Sequence, residues 1–148
     1  MTRFVVADCF HCGATPFADA ETRATWTTRH RDRFQHDVTW ATEYLIPDTG
    51  WDREPAGDDP WDLDGITGSL WPGPGWLLTV ARYAYDTPLR LIALHPGDMA
   101  ALVSRPWMAA VALEPSPEGA VVALLGCRLA QTPAVTRGRV WVIEPNPR

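Results

Sequence analysis

Residues 47–75 constrain the fold more than any other part of the chain, because five prolines and six glycines fall among these 29 residues and no helical or strand period survives there. Such a stretch reads as a connector. It leaves residues 1–46 and 76–148 to supply the ordered structure, either as one domain or as two very small ones, each with a limited core. The same stretch also holds the charge. Asp48, Asp52, Glu54, Asp58, Asp59, Asp62 and Asp64 stand against Arg53 alone, a balance of −6 in a chain that carries −5 overall. The flanking segments are therefore close to neutral. The acidic balance argues against a polyanion binder that uses its whole surface, but leaves room for a local nucleic-acid contact at either end.

Hydrophobic residues make up 46% of the chain, which places it in the globular class. Its longest apolar stretches, Trp107 to Leu113 and Ala120 to Leu125, have strand length, so no membrane partner is expected. The opening residues lack an apolar run of secretory-signal length, and the expected location is the cytoplasm. All 13 basic residues are arginine, a bias towards GC-rich codons that suggests a high-GC bacterium or its phage.

The first segment reads as a short strand at Phe4 to Ala7, a tight turn at Cys9 to Gly13 and a helix from about Ala18 to Phe34. Thr15 and Pro16, or Asp19, are its start signals. Val38 to Ile46 follows as a strand, with Val38, Trp40, Tyr44 and Ile46 on one face. The last segment reads as strands at Trp76 to Tyr85, Leu89 to Leu94, Trp107 to Leu113, Ala120 to Leu129 and Val140 to Ile143, with a short helix at Met99 to Ser104 capped by Asp98. A small barrel or a strongly twisted sheet would accommodate them. Alternatively, the Val38 to Ile46 strand joins this sheet in a single α+β domain.

Cys9-x-x-Cys12 is followed, after seventeen intervening residues, by His30 and, after five more, by His36. Two thiolates and two imidazoles are a full tetrahedral donor set for zinc, and the cysteine spacing lets both sulfurs bind from one turn. Gly13 permits the positive φ such a turn often needs. A redox Cys-x-x-Cys pair has the same spacing but sits in a βαβ context that this pattern lacks. At about 100° per residue, Trp26 and Phe34 fall about 40° on either side of His30 and could wall a metal. His36 falls about 240° from His30 on the same wheel, so the helix has to end between Arg33 and Gln35 for both imidazoles to meet. His11, inside the turn, is a competing ligand.

Over residues 4–40 this arrangement resembles the two-cysteine two-histidine zinc fingers, with a longer gap before the first histidine than the usual ~12 residues. The resemblance implies a structural zinc ion held by Cys9, Cys12, His30 and His36. The expected fold class is α+β: a zinc-stabilised strand–knuckle–helix unit at 1–46, the connector at 47–75, and a small β-rich domain, barrel-like or a twisted antiparallel sheet, at 76–148.

Four protein donors leave no coordination position for substrate, so the metal is expected to be structural and the protein a binder, not an enzyme. Two partner classes follow. A finger-like helix suggests nucleic acid, with Arg29, Arg31 and Arg33 as contacts, although Glu21, Thr28 and Asp32 occupy the outward positions where base contacts would be expected. The connector suggests a basic protein surface clamped by Trp51, Trp61, Asp58, Asp59 and Asp62. The competing reading of its indoles is that they fold back over a small core. Cys127 lies in an apolar strand, where a buried and inert thiol is expected.

Overall fold

The computed structural model describes residues 3–47, 51, 73–110, 113–116, 119–124 and 126–145. Among these, eight strands and three α-helices alternate along the chain: β1 Arg3–Cys9, β2 Gly13–Phe17, α1 Ala20–Phe34, β3 Val38–Leu45, α2 Gly75–Tyr85, β4 Leu91–Leu94, α3 Pro96–Val103, a 3-10 turn Pro106–Ala110, β5 Leu113–Ser116, β6 Gly119–Leu124, β7 Cys127–Gln131 and β8 Arg139–Glu144. One sheet takes the order β2-β1-β3-β8-β4-β7-β6-β5. The strand from before the connector therefore lies beside strands from after it: β3 pairs β8 antiparallel from Trp40↔Glu144 to Leu45↔Arg139. This is the arrangement in which Val38 to Ile46 joins the C-terminal sheet.

Four readings of the C-terminal segment are corrected. The sheet is mixed and open, not antiparallel throughout or closed, because β4 and β7 run parallel from Leu91↔Arg128 to Leu94↔Gln131. Residues 76–85 form the helix α2 and not a strand. Leu77, Val80, Ala81 and Ala84 recur at i, i+3, i+4 and i+7 and are all fully buried, a helical stripe that outweighs the β-branched and aromatic content. Trp107 begins no strand but lies in the 3-10 turn, and Ala120 to Leu129 is divided by Gly126, whose φ of 82° makes a turn between β6 and β7. One cap also differs from expectation. His95, not Asp98, caps α3, its Nδ1 accepting from the Gly97 amide at 3.0 Å, while the buried Asp98 carboxylate accepts from Arg137 Nε (3.1 Å) and the Gly138 amide (2.8 Å).

The main core lies where α2 and α3 cover the centre of the sheet, around Leu77, Val80, Ile92, Leu94, Leu102, Leu124 and Val140. A second cluster of Val6, Ala41, Ala93, Val135 and Trp141 forms around the β1–β3 and β4–β8 pairs. Across the β3–β8 pair, the buried Glu43 carboxylate accepts from Trp141 Nε1 at 2.9 Å and from Arg139 at 2.7 Å, so both of its oxygens are satisfied.

Helix α1 packs over β1 and β3 at one end, on a small core of Ala7, Cys9, Val38 and Trp40 with Ala24 and Trp26. Its start is the expected Asp19, whose Oδ1 accepts from the Thr22 amide at 2.7 Å; Thr15 and Pro16 lie instead in β2, the edge strand of the hairpin. That backbone hydrogen bond holds the Asp19 carboxyl below the usual carboxylate range. A depressed folded value means stability that is present above the unfolded value near 4 and is lost as pH falls through the folded one. Asp19→Ala is expected to lower the thermal midpoint at pH 7, with Asp19→Asn restoring most of it. The gap between Asp19→Ala and the native protein should close as the pH drops below about 4; a gap independent of pH would contradict the cap.

Candidate metal centre

The β1–β2 hairpin brings the first two candidate ligands together. Cys9 ends β1 fully buried, paired with Gly13 on one side and Val38 on the other, and Cys12 projects from the exposed turn. Gly13 closes the turn at φ 91°, the left-handed conformation expected of it. His30 comes from the buried stripe of α1 and stacks on Trp26 (centroids 4.5 Å apart, planes 14° apart), with Phe34 at 5.0 Å on its other side. The two aromatics expected to wall the metal do flank this histidine.

His36 arrives because α1 stops where the wheel required. Phe34 is its last residue, and Gln35 adopts a left-handed conformation (φ 57°, ψ 31°) with its amide bonded to the Arg31 carbonyl. That single residue redirects the chain. His36 Nδ1 comes to 3.3 Å from His30 Nε2, 3.5 Å from Cys9 Sγ and 3.6 Å from Cys12 Sγ. His30 Nε2 in turn lies 3.3 Å from Cys9 Sγ and 3.7 Å from Cys12 Sγ. All four donor atoms fall within 4.8 Å of one another.

These distances can be tested against a bound ion. A tetrahedral ion with bonds of about 2.3 Å to sulfur and 2.0–2.1 Å to nitrogen sets its S···N edges near 3.5 Å and its N···N edge near 3.3 Å. The observed S···N contacts of 3.3, 3.5, 3.6 and 3.7 Å bracket the first value, and the His30–His36 contact of 3.3 Å meets the second. The four side chains fit one four-coordinate ion. Electrostatics agree with the geometry. Desolvation, followed by the neighbouring His11 and His30, pushes the His36 imidazole towards its neutral, ligating form. Desolvation and the nearby Cys9 push the Cys12 thiol up, away from the thiolate that ligation needs, and a cation between the sulfurs would offset this.

His11 stands outside this set. Its ring tilts over His36 with centroids 4.5 Å apart and donates no atom to the cluster. The arginines expected to meet nucleic acid divide: Arg29 and Arg33 are exposed, whereas Arg31 is half-buried. Trp51, expected as a partner anchor, is 5% exposed and packs against Trp76 at 5.1 Å, while its carbonyl accepts from Trp107 Nε1 at 2.9 Å. It covers the core instead of presenting itself. Asp58, Asp59, Trp61 and Asp62 lie outside the described residues. Cys127 is fully buried, donating to the Ala81 carbonyl at 3.3 Å, and burial pushes its thiol up, as expected of an inert cysteine.

Arg23, to which no sequence motif assigns a role, is central. Its guanidinium is 3% exposed, lies 4.2 Å from the Trp40 ring centroid, and donates to the Ala41 carbonyl at 3.0 Å and to Glu144 at 2.6 Å. One turn along, Thr27 accepts from the Trp40 indole at 2.9 Å. The side chains that α1 buries, Arg23, Thr27 and His30, are therefore polar, and each is met by a specific partner. None of the described helices is long and apolar enough to cross a membrane. The chain matches no family model, no curated protein and no solved structure, so the reading of its site rests on these residues alone.

Proposed function

We propose that Cys9, Cys12, His30 and His36 hold one zinc ion, and that the ion is structural, pinning the β1–β2 turn to the end of α1 so that this corner can bind nucleic acid. The observation that carries the metal assignment is the agreement of the five donor–donor contacts with a single tetrahedral centre. Two thiolates with two imidazoles in that geometry select zinc over harder ions. Four protein donors complete the coordination, which favours structure over catalysis.

The binding reading is supported by Arg29 and Arg33, exposed one turn apart on α1 beside the centre. Native mass spectrometry of the purified protein is expected to find one zinc per chain, and none after Cys9→Ser. A metal-free folded chain would end the zinc assignment. Fluorescence anisotropy should show salt-dependent binding of labelled nucleic acid. Arg29→Ala with Arg33→Ala should flatten the log–log salt slope by about 0.7 for each single-strand phosphate that an arginine no longer neutralises. An unchanged slope would remove these arginines from the interface.

A further inference from the structure

Phe10 is 89% exposed, far more than any other large hydrophobic side chain among the described residues, and it takes no part in the core. It stands at the tip of the turn between Cys9 and Cys12, and from it a row of rings crosses the metal centre. The Phe10 and His11 centroids are 5.5 Å apart with the rings edge to face (89°), His11 and His36 are 4.5 Å apart and tilted (38°), and His36 and Phe34 are 5.5 Å apart and stacked (25°). Phe34 is itself 49% exposed, and the Arg33 guanidinium carbon lies 5.1 Å from its ring centroid. The row thus begins and ends on an accessible phenyl, and its far end carries a cation.

Two exposed phenyl rings by themselves offer less than a stable protein interface needs, which is a desolvated apolar centre with a closed rim. They offer what an unpaired base needs: a flat face to stack on, with arginine close enough for the adjoining phosphate. Bases within a duplex have both faces covered by their neighbours, so a stacking row selects single strands. The outward face of α1 is poorly suited to a groove, since Glu21 and Asp32 are exposed there.

We infer that the face formed by Phe10, His11, His36, Phe34 and Arg33 is a stacking platform for unpaired bases of single-stranded nucleic acid; this rests on the nucleic-acid reading above and names its ligand class. The ion fixes the platform, because His36 is both a ligand and the middle of the row.

The test uses the full zinc-loaded chain with a fluorescein-labelled oligothymidylate and a duplex of matched length, read by anisotropy. The single strand is expected to bind more tightly than the duplex. Phe10→Ala should weaken single-strand binding between about fivefold and 150-fold, while Phe10→Trp restores it and duplex binding does not change. Zinc content and thermal midpoint, measured in parallel, should not move, since Phe10 packs on nothing in the core. If the native protein binds neither probe, this inference and the nucleic-acid reading fall together. If it binds the duplex as tightly as the single strand, or if Phe10→Ala leaves single-strand affinity unchanged, the platform falls and the wider reading stands. Absence of oligonucleotide binding, together with a dimer in sedimentation that Phe10→Ala dissociates, would assign the face to a second copy of the chain and overturn the proposal.

Discussion

Stripping the metal with a strong chelator is expected to melt α1 while leaving the sheet formed. An isolated finger unfolds completely when its zinc is removed, because the ion supplies most of the folding free energy, about 10–16 kcal/mol in model peptides. Here β1 and β3 are interior strands of the sheet, with β3 hydrogen-bonded to β8, so the centre can be lost without dissolving them. Helix α1 has no backbone pairing of this kind and is held to the sheet only by its small core and the Arg23 contacts. Thr22, Thr25, Thr27 and Thr28 give it poor intrinsic propensity, and its buried side chains are Arg23, Thr27 and His30. Without the ion it loses its C-terminal anchor and the residue that follows Gln35. Hydrogen exchange should show protection vanishing across 20–34 and persisting in β3, β8 and β4, with a matching fall in helical ellipticity that added zinc reverses. Protection of α1 that survives metal removal would mean that the ion does not hold this corner.

The second large effect is expected from Arg23→Ala. This cation holds α1 to the sheet through the Ala41 carbonyl, the Trp40 ring and Glu144 on β8. Removing it strands a carboxylate that is 29% exposed and a buried carbonyl. Breaking a buried pair costs about 3–5 kcal/mol, and the partial exposure of Glu144 places the expected loss near the lower end of that range. For a chain of this size that lowers the melting midpoint by roughly 6–12 °C. Pairing Arg23→Met with Glu144→Gln should recover part of the loss, since the stranded charge is then gone. Equal melting of Arg23→Ala and the native protein would show that the contact contributes nothing to stability.

What could be read from the sequence depended on whether position along the chain or partners across it decided the outcome. The turn at Cys9 to Gly13, the flanking of His30 by Trp26 and Phe34, and the break before Gln35 are all local; the cysteine spacing and Gly13 place the first, and helix geometry the other two. The stripe of α2 is equally local, but its aromatic and β-branched residues resemble those of a strand, and only the period tells the two apart. Other features had no local trace. Arg23 has the appearance of a surface cation until Glu144, 121 residues away, is brought beside it. The buried stripe of α1 escapes any hydrophobic pattern because it is made of a guanidinium, a hydroxyl and an imidazole, each in contact with a polar group on another element. The expectation that Trp51 reaches a partner failed for a related reason: an indole in an acidic, proline-rich setting still folds inward when Trp76 and Trp107 offer a place for it.

The position of β8 has a consequence for how the chain comes into being. This strand follows every other described strand in sequence, yet in the sheet it lies between β3 and β4. During synthesis the hairpin β1–β2, helix α1 and β3 all leave the ribosome long before β8 exists, and β3 must wait with an unpaired, half-apolar edge. Ion capture at the β1–β2 turn requires nothing beyond His36, so that corner can close around zinc while the rest is still being made. An early-closing corner of this kind would keep β3 paired to β1 and aligned for the strand that arrives last, and zinc starvation would then show first as aggregation of newly made chains.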